Sequence, residues 1–342
     1  MNRGRCCATR PPSIERAAHF YNNFYKKPMK PDDPALGVLH PARKPAALRI
    51  ATYNIHRCVG VDRRYDPARV AAVLSEIDAG IACLQEVSIR RRGEQRGDQA
   101  SILAEATGSR VISGGGVGYY RRRFRNAILT RFPVLAESAI DLTVAGFAPR
   151  SAIDADLAIG DRIVRVIATH FGLSAAERRL QANRVIAALA APLPAMRHPA
   201  STVLVMGDLN EWRGRSGGIR ALERRLGPSF AARTFPSFMP VLALDRIYVD
   251  ERAVLEEVEV YRSPLARLAS DHLPLVATLS WDPGFAASDA APEREGPRVK
   301  WWKARIAAKD GSERAPAARF LSTAATFLRS HQEKRRAMPT GR

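Results

Sequence analysis

The stretch SDHLPLVATL, residues 270–279, carries the feature that decides the fold. Its apolar residues from position 273 onward predict a buried β-strand. An acid and an imidazole, Asp271 and His272, stand side by side where this strand begins. Burying both groups without partners would cost several kcal/mol. The strand therefore needs polar partners from other parts of the chain.

Polar residues end most of the other apolar runs as well. They are Asn54 after LRIATY, Glu86 after AGIACLQ, His170 after RIVRVIAT, Asp208 and Asn210 in MGDLN, and Asp245 after LAL. Taken singly, each has a structural explanation, such as a capped turn, an edge charge or a satisfied core histidine. Strand ends with convergent polar groups are how rigid scaffolds present chemistry, so the whole set predicts an active site.

The chemical types in this set indicate a reaction class. They are carboxylates, amides and imidazoles, with no hydroxyl or thiol among them. Carboxylate and amide oxygens suit Mg²⁺ or Mn²⁺, which are held by a few carboxylates together with substrate phosphate. Histidine takes a proton from water or donates a hydrogen bond to phosphate near neutral pH. Metal-assisted hydrolysis of a phosphate ester by water is the reaction that fits.

Other chemistries find less support in the sequence. The glycine-rich segment SGGGVG, residues 113–118, lacks the Gly-Lys-Ser/Thr of a P-loop and is predicted to be a mobile loop. There is no GxSxG nucleophile elbow. The four cysteines form no CxxC pair and no zinc-ligand spacing, which favours a reduced, cytoplasmic protein.

The chain divides into three regions by composition. Residues 1–46 are rich in Pro, Arg and Lys and predict a loosely ordered basic arm. Residues 47–281 hold many short strands and a few helices that do not strictly alternate with them, which predicts mixed sheets packed face to face with helices outside. Residues 282–342 read as a linker followed by basic amphipathic helices such as VKWWKARIAAK.

The formal net charge of +20 favours an anionic partner: nucleic acid, anionic lipid head groups or a small phosphorylated molecule. The basic tails predict attachment to a membrane surface or to nucleic acid; the alternative is that they dock on the domain or stay disordered. No secretory signal and no transmembrane run is recognised, and a monomer is expected.

Seven segments together resemble the endonuclease/exonuclease/phosphatase superfamily of DNase-like, metal-dependent phosphodiesterases. They occur in that family's order between residues 48 and 280: TYNIH, LQEV, RNAILTRFPV, ATHFGL, VMGDLNEW, LALDRIYV and SDHLP. The resemblance implies an α/β fold of the DNase-like kind, a four-layer sandwich of two mixed β-sheets flanked by helices. The motifs are similar to those of small bacterial hydrolases of the superfamily. They resemble its DNase, sphingomyelinase and inositol-phosphatase branches more than its abasic-site endonucleases.

The resemblance also implies a role for each site residue. It implies that Glu86 is the principal ligand of the metal ion, Mg²⁺ or Mn²⁺, and that Asn54 and Asp271 assist it. Asp208 and Asn210 resemble the pair that orients or activates water and holds the phosphate. By the same resemblance, His170 donates a hydrogen bond to a phosphate oxygen, His272 is a general base or electrophilic histidine, and Asp245 is the carboxylate that orients His272. Which His or Asp takes the proton from water stays open.

The function predicted from the sequence is metal-dependent hydrolysis of a phosphodiester or phosphomonoester, with a phospholipid or small phosphorylated molecule as substrate. One alternative is a DNase-like endonuclease acting on DNA or RNA, which the charge of +20 fits equally well. The other is a non-catalytic basic binding module. The complete set of ionisable and amide residues argues against that second alternative.

Overall fold

The computed structural model describes residues 47–88, 98–113, 124–160, 162–190, 201–213, 216–250 and 253–280. Both predicted tails, 1–46 and 282–342, lie outside these ranges, so the three-region division stays a prediction. The predicted mobile loop at 113–118 also lies outside them, apart from its first residue.

Two six-stranded β-sheets form the centre of the fold. The first contains, in order across the sheet, β11 (Val254–Val260), β12 (Leu275–Ser280), β1 (Leu48–Asn54), β2 (Ile81–Ser88), β4 (Phe124–Thr130) and β3 (Arg110–Ile112). The second contains β5 (Val134–Asp141), β6 (Ser151–Ile159), β7 (Arg162–His170), β8 (Ser201–Asp208), β10 (Asp245–Val249) and β9 (Phe230–Ala231). Each sheet is mixed, because β1 pairs parallel with β2 and β7 with β8 while the other pairs are antiparallel.

Five α-helices are described, besides a short 3-10 helix at His56–Cys58. They are α1 (Pro67–Ile77), α2 (Gln99–Thr107), α3 (Ala175–Ala190), α4 (Gly217–Leu226) and α5 (Pro264–Ala269). The Asp66-Pro67 start signal is confirmed, because the Asp66 side chain accepts hydrogen bonds from the backbone N–H groups of Ala68 and Arg69. Within the described ranges, no helix combines the length and the apolar character that a membrane crossing requires.

Three apolar layers hold the elements together and confirm the four-layer sandwich. The central layer lies between the sheets, where Ile50 and Cys83 of the first sheet meet Val166 and Met206 of the second. A second layer joins the outer face of the first sheet to α1 and α2, and a third joins the outer face of the second sheet to α3 and α4. Alternate residues of one strand point to opposite faces, so each central strand supplies two of these layers.

Candidate active site

The inner faces of the strands change from apolar to polar at one end of the sandwich. On β8 the inward series Leu204, Met206 continues to Asp208, and on β7 the inward series ending at Ala168 continues to His170. The period of two makes each polar residue share the face of the apolar residues before it. Asn54, His170 and Asp208 therefore converge in the gap between the sheets, at the end where β1, β7 and β8 terminate.

Asp208 lies at the centre of this group and is buried. Its Oδ2 atom accepts a hydrogen bond of 3.0 Å from Nδ2 of Asn54, which comes from the opposite sheet. The same oxygen lies 3.5 Å from Nε2 of His170 and 3.7 Å from Nε2 of His272. One carboxylate oxygen is therefore faced by two imidazoles and an amide.

Asn210 and His170 form the second contact of the site. Nδ2 of Asn210 lies 3.0 Å from Nε2 of His170 and donates to the carbonyl of Phe171 at 2.9 Å. The strand does not continue through Asn210: it ends at Asp208, and Asn210 has a φ of 50°. The turn brings the backbone N–H of Asn210 to Oδ1 of Asp208 at 2.8 Å, so the two residues still face one site.

His272 is clamped by Asp245. Its Nδ1 atom lies 2.9 Å from Oδ2 of Asp245, the first residue of β10. The Thr234 hydroxyl donates to the same carboxylate oxygen, and the ring of Phe235 packs against the imidazole with centroids 4.9 Å apart. This arrangement fixes the ring and directs Nε2 toward Asp208, and it satisfies His272, which lies in the turn before β12 rather than in the strand itself.

Electrostatic interactions shift the pKa values of His272 and Asp208 and give the two groups different protonation states. Burial lowers the pKa of His272, but the charge of Asp245, its hydrogen bond and the charges of Asp208 and Asp271 outweigh burial and raise that pKa to about 10. Burial raises the pKa of Asp208 to about 6, against the lowering effect of His272. Near neutral pH the site therefore contains an imidazolium and an ionised Asp208.

Glu86 and Asp271 lie around the turn that follows β1. Nε of Arg57 is 3.9 Å from Oε2 of Glu86, and Nδ1 of His56 is 3.8 Å from Oδ1 of Asp271. The backbone N–H of His56 donates to Oδ1 of Asn54. Glu86 has a φ of 56° at an irregularity in the pairing of β2 with β4. Such a bulge re-aims a side chain, and strained backbone of this kind concentrates at functional sites.

Two sets of side chains offer ligands to a metal ion. Ligand atoms of Asp208, Asp245 and His272 all lie within 4.8 Å of one another. Within this set, Nδ1 of His272 and Oδ2 of Asp245 already contact each other at 2.9 Å, an arrangement suited to acid–base chemistry. The predicted ligands Glu86, Asn54 and Asp271 carry two carboxylates and an amide oxygen, the donor types that suit a hard divalent cation, and their binding of one ion stays a prediction.

Two residues inside the recognised segments, Ser270 and Gln85, organise the site although the sequence predicted no role for them. Ser270 donates to the backbone carbonyl of Asn54 at 2.7 Å and accepts from the backbone N–H of His272. Gln85 donates from Nε2 to the Thr52 hydroxyl at 3.1 Å, behind Asn54. These contacts join β1, β2 and the SDHLP segment, which are far apart in the chain. Only the fold could reveal them.

Comparisons with known proteins agree with this architecture. The sequence profile described as "Endonuclease/Exonuclease/phosphatase family" matches residues 51–272. Uncharacterized protein YbhP of Escherichia coli strain K12 is 28% identical over 251 residues, which cover 68% of this chain and 96% of that protein.

Two solved structures share the fold. Mannosyl-6-phosphatase Bt3783 of Bacteroides thetaiotaomicron is similar with a TM-score of 0.56 and 18% identity, over 68% of this chain and 100% of that one. The human Nocturnin catalytic domain is similar with a TM-score of 0.53 and 18% identity, over 69% of this chain and 95% of that one.

Proposed function

The chain belongs to the endonuclease/exonuclease/phosphatase family, and we propose that it is a divalent-metal-dependent hydrolase that cleaves a phosphate ester by attack of water. The observation that carries the proposal is the buried Asp208 carboxylate, which is faced by Asn54 and His170 from the ends of β1 and β7 and by His272 from the turn before β12. A structural role alone does not account for one acid and two imidazoles converging in a gap between two sheets.

In the proposed mechanism Asp208 is the group that takes the proton from water. Its pKa of about 6 leaves it ionised at neutral pH but basic enough to accept a proton. His272 already holds its proton, so it cannot serve as the base. It instead acts as a hydrogen-bond donor from Nε2 to the phosphate, where negative charge builds up in the transition state.

Asn210 and His170 position the phosphate in this proposal. Their side chains touch at 3.0 Å, and Asn210 is anchored by its hydrogen bond to the Phe171 carbonyl. An amide and an imidazole held this way need no rearrangement when the substrate binds, and preorganised donors of this kind contribute strongly to phosphoryl chemistry.

We assign the divalent ion, Mg²⁺ or Mn²⁺, to Glu86, Asn54 and Asp271, on the donor chemistry of that set. When bound there, the ion supplies Lewis-acid polarisation of a phosphate oxygen. Asn54 belongs to both halves of the site, because its Oδ1 faces the turn after β1 and its Nδ2 donates to Asp208. It therefore holds the proton acceptor in a fixed place relative to the ligand set.

For the substrate we propose a phosphodiester of a lipid or small molecule, with a phosphomonoester or a nucleic acid as the alternatives. The test uses the purified full-length protein with bis(p-nitrophenyl) phosphate and p-nitrophenyl phosphate, followed by phospholipid vesicles, inositol phosphates, plasmid and single-stranded RNA. Each is incubated with Mg²⁺, Mn²⁺ or EDTA. Glu86-dependent turnover that EDTA abolishes is expected on at least one diester.

Three variants make the test specific. Glu86→Gln and Asp208→Asn keep side-chain shape while removing charge, and each is expected to reduce turnover by a factor of about a hundred or more. Asp156→Asn is the matched control, because Asp156 is another buried carboxylate of the second sheet that takes no part in the site. Wild-type turnover by folded Glu86→Gln protein would contradict the metal assignment.

A further inference from the structure

The exposed apolar side chains are concentrated at the active-site end of the molecule. Among the described residues nine large apolar side chains are exposed, and seven of them belong to loops that leave this end. Three lie in the loops after β1 and β5: Val61, Tyr65 and Phe147. Four lie in the loops after β7, β8 and β9: Leu173, Trp212, Phe238 and Met239. We refer to these seven as the apolar rim.

The rim is attached to the same segments that position the site. Leu173 follows His170 by three residues, and Trp212 follows Asn210 by two. The loop with Phe238 and Met239 is tied to the SDHLP segment, because the backbone N–H of Ser237 donates to the carbonyl of Asp271 at 2.8 Å. A surface that contacts the apolar rim therefore lies next to the site that contains Asp208.

Trp212 is held on a rigid support. The guanidinium carbons of Arg178 and Arg213 lie 6.0 Å and 5.9 Å from its ring centroid. Arg178 is buried, with its Nη2 2.9 Å from Oε2 of Glu211 and its Nη1 donating to the carbonyl of Leu173 at 2.6 Å. The buried ion pair of Arg178 and Glu211 thus supports the Trp212 ring, and this residue is 41% exposed. Packing against this fixed arginine holds the exposed Trp212 ring in one orientation.

The exposed charges in the loops around the rim are mostly positive. The loops at this end contain five exposed arginines, namely Arg63, Arg64, Arg213, Arg233 and Arg262. The exposed acid in the same described loops is Asp62, whose Oδ2 lies 2.8 Å from Nη1 of Arg69. Protruding apolar side chains among arginines match a surface that has anionic groups outside and hydrocarbon beneath.

From these observations we propose that the active-site end of the protein docks on an anionic lipid surface, with the apolar rim inserted among the head groups. The proposal rests on the proposed function, since it directs a lipid phosphate or a phosphate at the membrane surface to Asp208. Aliphatic rim residues such as Val61, Leu173 and Met239 favour lipid over nucleic acid. Bases stack on aromatic rings but gain little from protruding aliphatic side chains.

The experiment measures binding of full-length protein to sucrose-loaded vesicles of phosphatidylcholine and phosphatidylglycerol in equal parts, by co-sedimentation. Phe238→Ser combined with Met239→Ser is expected to weaken binding by about tenfold, from the apolar area no longer buried. Trp212→Ser, on a different loop, is expected to weaken it as well. Vesicles of phosphatidylcholine alone should bind wild-type protein more weakly.

The matched control is Leu135→Ser combined with Leu180→Ser. These are the two exposed apolar residues among the nine that lie away from the rim, on β5 and α3. The control should bind vesicles like the wild type. Rim variants that bind anionic vesicles as tightly as the control would overturn the proposal. So would rim variants that lose only single-stranded DNA binding, which would assign the surface to nucleic acid.

Turnover of bis(p-nitrophenyl) phosphate separates this proposal from the proposed function. This substrate is water-soluble and needs no membrane, so rim variants should hydrolyse it at the wild-type rate. If wild-type protein binds vesicles through the rim but hydrolyses no phosphate ester, the proposed function fails and the docking surface stands. If it hydrolyses the soluble diester but the rim variants bind vesicles normally, the docking surface fails alone.

Discussion

Nδ1 of His272 lies 2.9 Å from Oδ2 of Asp245, and Nε2 of the same ring faces Oδ2 of Asp208 at 3.7 Å. The imidazole thus stands between two carboxylates from neighbouring strands of one sheet. Asp245 fixes the orientation and the protonation of the ring, and the ring in turn places a positive charge beside Asp208. The two carboxylates therefore have different roles in the proposed mechanism: Asp245 positions the imidazolium, and Asp208 accepts the proton.

The first prediction concerns the coupling of Asp245 and His272. Asp245→Asn and His272→Ala are each expected to lower kcat/KM by a factor of about a hundred or more, because each removes the oriented imidazolium. The double variant should lose little beyond the worse single variant, since residues that act as a unit are not additive. Steady-state kinetics of the three variants on a soluble diester measures this. Losses that multiply would show that the two residues act separately.

The second prediction is the pH dependence of turnover. Asp208 must be ionised to accept a proton, so kcat/KM should rise with pH through an apparent pKa near 6. His272 must be protonated to donate, so kcat/KM should fall through an apparent pKa near 10. Both values belong to the coupled group. A rate that is already maximal at pH 5 would contradict Asp208 as the proton acceptor.

The alkaline limb offers a direct check on Asp245. Its charge and hydrogen bond are the main causes that raise the pKa of His272. In the residual activity of Asp245→Asn, the alkaline limb should therefore move to lower pH. A limb that does not move would assign it to another group.

The third prediction uses a buried acid outside the site. Burial, followed by the charge of Asp154, raises the pKa of Asp156 to about 6 against the lowering effect of Arg165. The folded state therefore favours the protonated form, and this contribution to stability is present below pH 4 and is lost as pH rises through 6.

Asp156→Asn should accordingly stabilise the protein at pH 7.5 by on the order of 2 kcal/mol, because a neutral amide replaces a buried charge. The gain should vanish near pH 4, where wild-type Asp156 is protonated. Urea unfolding of both proteins at the two pH values measures the difference. A gain that is equal at both would show that the ionisation of Asp156 is not its cause.

The fourth prediction concerns Gly207, which stands before Asp208 and pairs with Thr169 across β7 and β8. A Cβ atom at Gly207 would lie 1.9 Å from the backbone oxygen of Thr169. Gly207→Ala must therefore separate the two strands beside His170 and Asp208. We expect a loss of stability of about 2–4 kcal/mol and a loss of most activity.

Gly217→Ala is the control for this substitution. The nearest atom to its added Cβ is Cδ of Arg179 at 3.7 Å, an ordinary contact, and alanine is the better helix former within α4. Its melting temperature and activity should equal or exceed those of the wild type. Gly207→Ala protein that melts and turns over like this control would contradict the predicted clash.

The sequence by itself determined the sandwich and the identity of the polar strand ends. Asp208, His170 and Asn54 were recognised because each ends an apolar run typical of a strand. Such local patterns can be recognised in the sequence without knowledge of the fold. Family membership then followed from seven short segments in order, and the profile match over residues 51–272 confirmed it.

Only the tertiary structure decided how these residues pair. The contact of Asn54 with Asp208 joins residues 154 positions apart on opposite sheets, and Ser270 reaches Asn54 across 216. The clustering of exposed apolar side chains at one end also depends on which loops share that end. Pairing across sheets depends on register and sheet packing. These are set by the whole core, so no local pattern contains them.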